Sequence, residues 1–275
     1  MSYNNFMSNI TEAAIKTDHL TKKYGKTIAL NELSLTVPTN SIFGLLGPNG
    51  AGKSTAIKIM TTLLNATYGS AKVSGFDVAS HPVDVRRNIG YVPQLLSADG
   101  SLTARENLNL LARLYGLRGP EVNSRIIEAL AFSGLDEVAD KLVKTFSGGM
   151  VRRLEIIQAT LHHPKVLFLD EPTIGLDPGA RRTVWDRLLE LRSNLGMTIL
   201  ITTHDMEEAE VLCDELAIVH QGQLVTSGSP HHLKDQVGPQ ASLSDAFIHF
   251  SGSSLNHEGH EFNVREARDS VMRRG

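Results

Sequence analysis

The sequence predicts an α/β fold with antiparallel hairpins and an inserted helical segment, and three observations carry that prediction. Residues 41–46, 166–169 and 198–202 are short apolar runs of strand length, as strands covered on both faces of a parallel sheet are. Residues 15–37 read as strand, turn and strand, with Tyr24, Gly25 and Lys26 at the turn and Leu33, Leu35 and Val37 alternating with polar residues. Between the first two apolar runs the pattern changes to apolar residues three and four apart, which is helical.

Along the chain, residues 1–14 are polar and weakly patterned, a flexible lead-in. The run at 41–46 stops at Gly47, and a helical pattern follows in which Ile57, Met60, Leu63 and Leu64 share a face. Residues 71–78 form another hairpin, turning at Ser74, Gly75, Phe76 and Asp77. Helices are expected over 103–117, where Leu108, Leu111 and Leu114 line one side, and over 122–135. A further helix, from about residue 180 to 195, separates the second and third apolar runs. Residues 216–219 and 223–227 pair across Gln221 and Gly222. After Pro230 the chain is rich in Gly, Ser and His and reads as a solvated end, made locally basic by Arg265, Arg268, Arg273 and Arg274.

Composition narrows the function classes. The chain has 275 residues, 41% hydrophobic and 21% charged, enough to bury a sizeable core. Lys and Arg number 27 against 30 Asp and Glu, a net charge of −3 that gives nucleic acid or an anionic membrane no global attraction. The single cysteine, Cys213, excludes an internal disulfide framework and reads as a small buried apolar residue. No apolar run approaches the roughly 20 residues needed to cross a bilayer. No basic residue precedes Lys16, so a signal peptide is not expected.

Gly47, Pro48, Asn49, Gly50, Ala51, Gly52, Lys53 and Ser54 fit G-x-x-x-x-G-K-[ST] between a predicted strand and a predicted helix, the context that pattern needs. Glycines let backbone N–H groups turn onto phosphate oxygens with no Cβ in the way. The helix start adds unpaired N–H groups and the positive end of its dipole. Lys53 then reaches the β- and γ-phosphates, and the Ser54 hydroxyl ligates Mg²⁺. The strand at 166–169 ends in two carboxylates. Asp170 holds the Mg²⁺ shell opposite Ser54, while Glu171 points toward a water attacking the γ-phosphate, as general base or water-orienting group. His204, after a second buried strand, contacts the γ-phosphate and stabilises the transition state. Taken alone, the carboxylates read as a polar strand end and His204 as structural; the upstream cradle reverses that. Ser147, Gly148 and Gly149 form a second anion site, an N-cap serine with exposed amides at the start of a helix carrying Arg152, Arg153 and Leu154.

The series of motifs includes Gln94 after Tyr91, Val92 and Pro93, and Gly175, Leu176 and Asp177 after the carboxylates. In this order it resembles the nucleotide-binding subunit of an ABC transporter over about residues 15–230. The resemblance implies a P-loop NTPase (RecA-like) core with an antiparallel β subdomain, a helical subdomain inserted at about 95–160, and an appendage at 231–275. It implies ATP and Mg²⁺ as ligands, with Tyr24 stacking on adenine and residues 47–54 with Thr55 as the phosphate loop. Gln94 becomes a sensor of Mg²⁺ and the γ-phosphate, Ser147, Gly148 and Gly149 the signature segment, and Asp177 the D-loop residue. Asp170 and Glu171 become the metal-side and catalytic carboxylates, and His204 the switch histidine.

In that family the signature segment of one subunit closes on ATP held by another, which implies a head-to-tail homodimer or pseudo-dimer of ATPase subunits. A separate transmembrane permease would supply the path. This chain would then be cytoplasmic and peripheral on the cytoplasmic face of the cell membrane, with no nucleic-acid partner. The signature usually continues into Gln. Here Met150, followed by Arg152, Arg153 and Leu154, is similar to export subunits of the drug-resistance (daunorubicin-type) group, as is the segment at 243–252. An importer subunit, or a non-transport ATPase of the same family acting on nucleic acid or ribosomes, are the alternatives the sequence leaves.

Overall fold

The computed structural model describes residues 13–255. The expected lead-in therefore falls outside the described residues except for Ala13 and Ala14, which open the first strand; the terminal arginines also fall outside. The chain begins β1 (Ala13–Tyr24), β2 (Thr27–Pro38), β3 (Ile42–Leu46), α1 (Lys53–Met60), β4 (Tyr68–Val73), β5 (Phe76–Asp77), α2 (Pro82–Asn88) and β6 (Ile89–Val92). The inserted helices are α3 (Ala104–Leu114) and α4 (Glu121–Ser133), followed by α5 (Gly148–Thr160). The remainder is β7 (Val166–Asp170), α6 (Pro178–Leu195), β8 (Thr198–Thr203), α7 (Met206–Leu212), β9 (Glu215–His220), β10 (Gln223–Gly228), α8 (Pro230–Asp235) and α9 (Leu243–Leu255).

Two sheets organise these elements. A four-stranded antiparallel sheet runs β2-β1-β4-β5, and a six-stranded sheet runs β10-β9-β3-β8-β7-β6. In the larger sheet every pair is parallel except β10 with β9. Every residue of β3, β7 and β8 is buried, the cost-free outcome for unalternating apolar strands only when both faces are covered. One face, with Phe43, Leu45, Phe168 and Leu200, packs on α1 and the antiparallel sheet. The other, with Leu46, Leu167, Leu169, Ile199 and Ile201, packs on α6, α7, α8 and α9. The helical insertion has its own core, built on Leu108, Ile126 and Leu130, with Val151, Leu154 and Ile157 of α5 as its inner wall. Since Ile156 and Ala159 of α5 belong to the second core, this helix is shared between insertion and sheet.

Register sets the site. Leu46 of β3 lies opposite Thr203 of β8, and Asp170 of β7 opposite Thr202, so three adjacent parallel strands end together. Ligands of open α/β sheets bind at such carboxyl ends.

Some local expectations change. The first helix stops at Met60, the chain reverses through Thr62 at φ 63, and Leu63 is 62% exposed, so Leu63 does not share the buried face of Ile57. Leu114 is likewise 73% exposed, although Leu108 is buried as expected. The short α2 and β6 were not anticipated; Pro82 starts the helix with its fixed φ, and four residues are too few to show a period. The expectation of a solvated end does not hold for 230–255: Leu233, Leu243 and Ala246 are buried against the sheet.

If α8 shares that core, Leu233→Ala should lower the free energy of unfolding by about 2–5 kcal/mol in a denaturant titration. A loss under about 0.5 kcal/mol would mean a surface residue.

Candidate functional site

The loop between β3 and α1 is shaped by what surrounds it. Gly52 stands at φ 100 as the N-cap of α1, and a Cβ there would lie 2.5 Å from the Ala29 carbonyl oxygen, so both backbone conformation and space demand glycine. Lys53, buried at the first position of α1, folds back over the loop. Its Nζ donates to the carbonyls of Gly47 at 2.7 Å and Pro48 at 3.1 Å and lies 3.4 Å from Glu171 Oε1. Asn49, Gly50, Ala51, Gly52, Lys53, Ser54, Thr55, Ala29, Gln94 and Glu171 line a cavity of about 440 Å³.

The carboxylates divide their work. Asp170 Oδ1 accepts from Ser54 Oγ at 3.0 Å and from Thr202 Oγ1 at 2.6 Å, which ties the cradle helix and β8 to the end of β7. Burial, together with the Asp170 charge, pushes the Tyr91 phenol beside it up to about 12. Glu171 has a φ of 49, unusual for a residue with a Cβ, and its backbone N–H is held by Thr202 through both carbonyl and hydroxyl oxygens. That turn sends its side chain away from Asp170. Glu171 Oε2 accepts from Gln94 Nε2 at 3.2 Å, and Oε1 lies 3.4 Å from His204 Nδ1. His204 is half exposed and approaches the same carboxylate oxygen as Lys53 does. One buried acid thus touches a lysine, a glutamine and a histidine from three separate segments.

The structure does not bring every expected residue to that point. Gly47, Pro48, Asp170 and His204 are outside the cavity lining but touch it through Lys53, Ser54 and Glu171, whereas Tyr24, Ser147, Gly148, Gly149 and Asp177 are absent from the lining as well. Tyr24 is half exposed at the end of β1, with the Lys22 ammonium 5.2 Å from its ring centroid. Ser147 caps α5 by accepting from the Met150 N–H at 3.3 Å. Gly149 is a packing requirement, since a Cβ there would lie 2.6 Å from Ala180 Cβ on α6. Asp177 caps α6, accepting from the Ala180 N–H at 2.9 Å.

The profile of a family described as "ABC transporter" matches residues 30–174. The chain belongs to the ABC transporter family. It is an ATP-binding subunit with the ATPase domain of that family. It is 43% identical to the daunorubicin/doxorubicin resistance ATP-binding protein of Streptomyces peucetius over 82% of this chain and 68% of that one. Against the Nod factor export ATP-binding protein I of Sinorhizobium fredii (strain NBRC 101917 / NGR234) it is 42% identical, over 85% and 68% of the two chains. A solved structure of the ATP-binding subunit of an ABC transporter superposes with a TM-score of 0.77 at 31% identity, covering 86% of this chain and 99% of that one. A dimeric post-hydrolysis ATP-binding cassette bound to ADP and phosphate superposes with a TM-score of 0.70 at 27% identity, covering 78% and 98%.

In this ABC subunit, sequence reasoning passed over residues that hold the functional groups. Thr202 is one of three threonines in a fully buried strand and carries no pattern of its own. Glu208 reads as one of two acids in a helix's first turn, yet it is buried, and its Oε1 accepts from Thr173 Oγ1 at 2.7 Å and Trp185 Nε1 at 3.1 Å. It therefore anchors the turn after Glu171 to the helix after His204. Burial raises the Glu208 pKa against the smaller pull of its donors.

An acid whose pKa is raised on folding binds its proton more tightly in the folded state, so stability falls as pH rises from the unfolded pKa through the folded one. Glu208→Gln keeps the Oε1 acceptor without the charge. It should flatten that dependence in melts taken between pH 4 and 8 without destabilising the protein near neutrality, whereas Glu208→Ala should cost about 1–3 kcal/mol. A Glu208→Gln protein with the wild-type slope would exclude Glu208 as the titrating group.

Proposed function

We propose that this chain is the ATPase subunit of an export system and hydrolyses ATP between two such subunits. The observation that carries this reading is the placement of the buried Glu171 carboxylate at the cradle wall, 3.4 Å from Lys53 Nζ and in hydrogen-bond contact with Gln94. The cradle amides and Lys53 would hold the phosphates, the ammonium exchanging loop carbonyls for phosphate oxygens. Tyr24, half exposed at the end of β1, would stack on adenine.

The donor set suits Mg²⁺: Ser54 Oγ and Asp170 Oδ1 are hard oxygens 3.0 Å apart, with the Gln94 side chain close by at Glu171. When bound, Mg²⁺ would neutralise charge on the β- and γ-phosphates. Glu171 would orient and deprotonate the attacking water, Gln94 would position that carboxylate, and His204 would stabilise charge on the γ-phosphate. Once Lys53 engages phosphate, the carboxylate would keep Gln94 and His204 as partners and turn its released oxygen toward a water.

Ser147, Gly148 and Gly149, with Asp177, do not line their own chain's cavity and stand at the starts of α5 and α6, which supports their use on ATP held by a second copy or a homologous subunit. Closure by that second set of amides would exclude water and strengthen the contacts inside. Among the described residues no helix is long and apolar enough to cross a membrane, so a separate permease would provide the path, with this subunit on its cytoplasmic face. Relatives named for drug resistance and for Nod factor export favour export over import.

Glu171→Gln should bind ATP with wild-type affinity, slow hydrolysis by about 100-fold or more, and accumulate an ATP-bound dimer visible by light scattering. Hydrolysis at the wild-type rate would remove Glu171 from the reaction. Lys53→Ala should weaken ATP binding by about tenfold or more in a titration, and unchanged affinity would sink the cradle assignment.

A further inference from the structure

Gln94 sits on a loop in which Leu95 and Leu96, the two residues after it, are 81% and 51% exposed, while Ala98 packs against the helical core. Between Pro93 and Ala98 the loop is held by a buried ion pair on α5. The Arg152 guanidinium and the Glu155 carboxylate lie one helical turn apart, 2.9 Å from each other, and both side chains are only 2% exposed. Arg152 Nη1 donates to the Pro93 carbonyl at 2.8 Å and Nη2 to the Gln94 carbonyl at 2.8 Å. Glu155 Oε1 accepts from the Ser97 N–H, from Ser97 Oγ at 3.1 Å and from the Ala98 N–H at 3.3 Å. The pair therefore grips the loop on both sides of the exposed leucines, cation to carbonyls and anion to amides.

Two charges in such a place are an expensive way to fill space. Burial pulls the Arg152 pKa down while Glu155 and Asp170 push it back, and a well-packed apolar pair would serve stability as well. Their hydrogen bonds instead set where the backbone of residue 94 stands. The side chain of that residue then donates to Glu171 Oε2 at 3.2 Å. The same helix begins at Gly148 with Ser147 as its cap, and neither residue lines this chain's cavity.

We propose that Arg152 and Glu155 are positioning residues that clamp Gln94 to α5, so that any shift of the Ser147 end of this helix is passed directly to the carboxylate of Glu171. The clamp rests on the roles given above to Gln94 and Glu171, and it adds a link from the segment that would meet a second subunit to the group that would orient water. A lysine at 152 keeps the charge but not the planar fork that serves two carbonyls and a carboxylate at once.

The test is a cycle on the full chain with Arg152→Lys, Gln94→Ala and the double variant, read as kcat and KM for ATP. Arg152→Lys should lower kcat by about tenfold with KM within about twofold, and should add less than about twofold when Gln94 is already Ala. A wild-type kcat, or losses that multiply in the double variant, would overturn the clamp. Amide exchange reads the same link without turnover: residues 93–98 should exchange at least about tenfold faster in Arg152→Lys while α5 stays protected, and unchanged exchange would also overturn it. If Arg152→Lys does not fold, Glu155→Gln carries both measurements, since it keeps the acceptor shape and removes the charge that holds Arg152. A wild-type hydrolysis rate in Glu171→Gln would instead defeat the site reading, and the exchange result would still stand or fall by itself.

Discussion

A carboxylate buried at the end of a strand must find donors, and Asp170 finds them in two other segments. Ser54 comes from the first turn of α1 and Thr202 from the last residues of β8, and both donate to the same oxygen. These bonds tie the cradle helix to two neighbouring strands at the point where the parallel ladder ends. Net stabilisation from each charge-assisted bond is about 1.5–3 kcal/mol, but losing one leaves an under-satisfied buried charge, which costs more. The rest of the site is built outward from that junction.

Glu171 shows how the junction becomes chemistry. Two consecutive carboxylates on a strand would point to opposite faces, but Glu171 is already outside the ladder and stands in the left-handed region at φ 49. A non-glycine residue there costs about 1–2 kcal/mol. Thr202 offsets that cost by accepting the Glu171 N–H with two oxygens. The strained turn aims the side chain at Lys53, Gln94 and His204 rather than at the Ser54 and Asp170 corner. Separate corners let one acid face the Ser54 hydroxyl while the next faces Lys53, Gln94 and His204.

Much of this was legible in the residues. The apolar runs at 41–46, 166–169 and 198–202 needed cover on both faces, and β3, β7 and β8 have it. Gly25 and Gly222 marked turns where β1 meets β2 and β9 meets β10. Legibility failed where side-chain pattern and burial part company. Leu63 and Leu114 continue an apolar period after their helices have ended or turned outward. Arg152 and Glu208 look like ordinary charges on helix faces, and only the packing of distant segments around them reveals that they are buried and bonded. The Ser- and His-rich stretch after Pro230 hid Leu233, Leu243 and Ala246, too widely spaced to declare a buried face.

By itself, then, the sequence determined which groups stand side by side: a glycine-rich loop ending in a lysine and a serine, two consecutive carboxylates at a strand end, and a serine with two glycines at a helix start. It did so because those groups are local, written in consecutive residues whose conformational needs are strict. Only the tertiary structure decided which of them share a cavity. Gln94 and Glu171 share the cradle cavity, and His204 reaches Glu171 from the end of β8, while Ser147 and Asp177 are engaged as helix caps and Gly149 packs on α6. Register and packing are sums over many distant contacts, and no stretch of chain contains them.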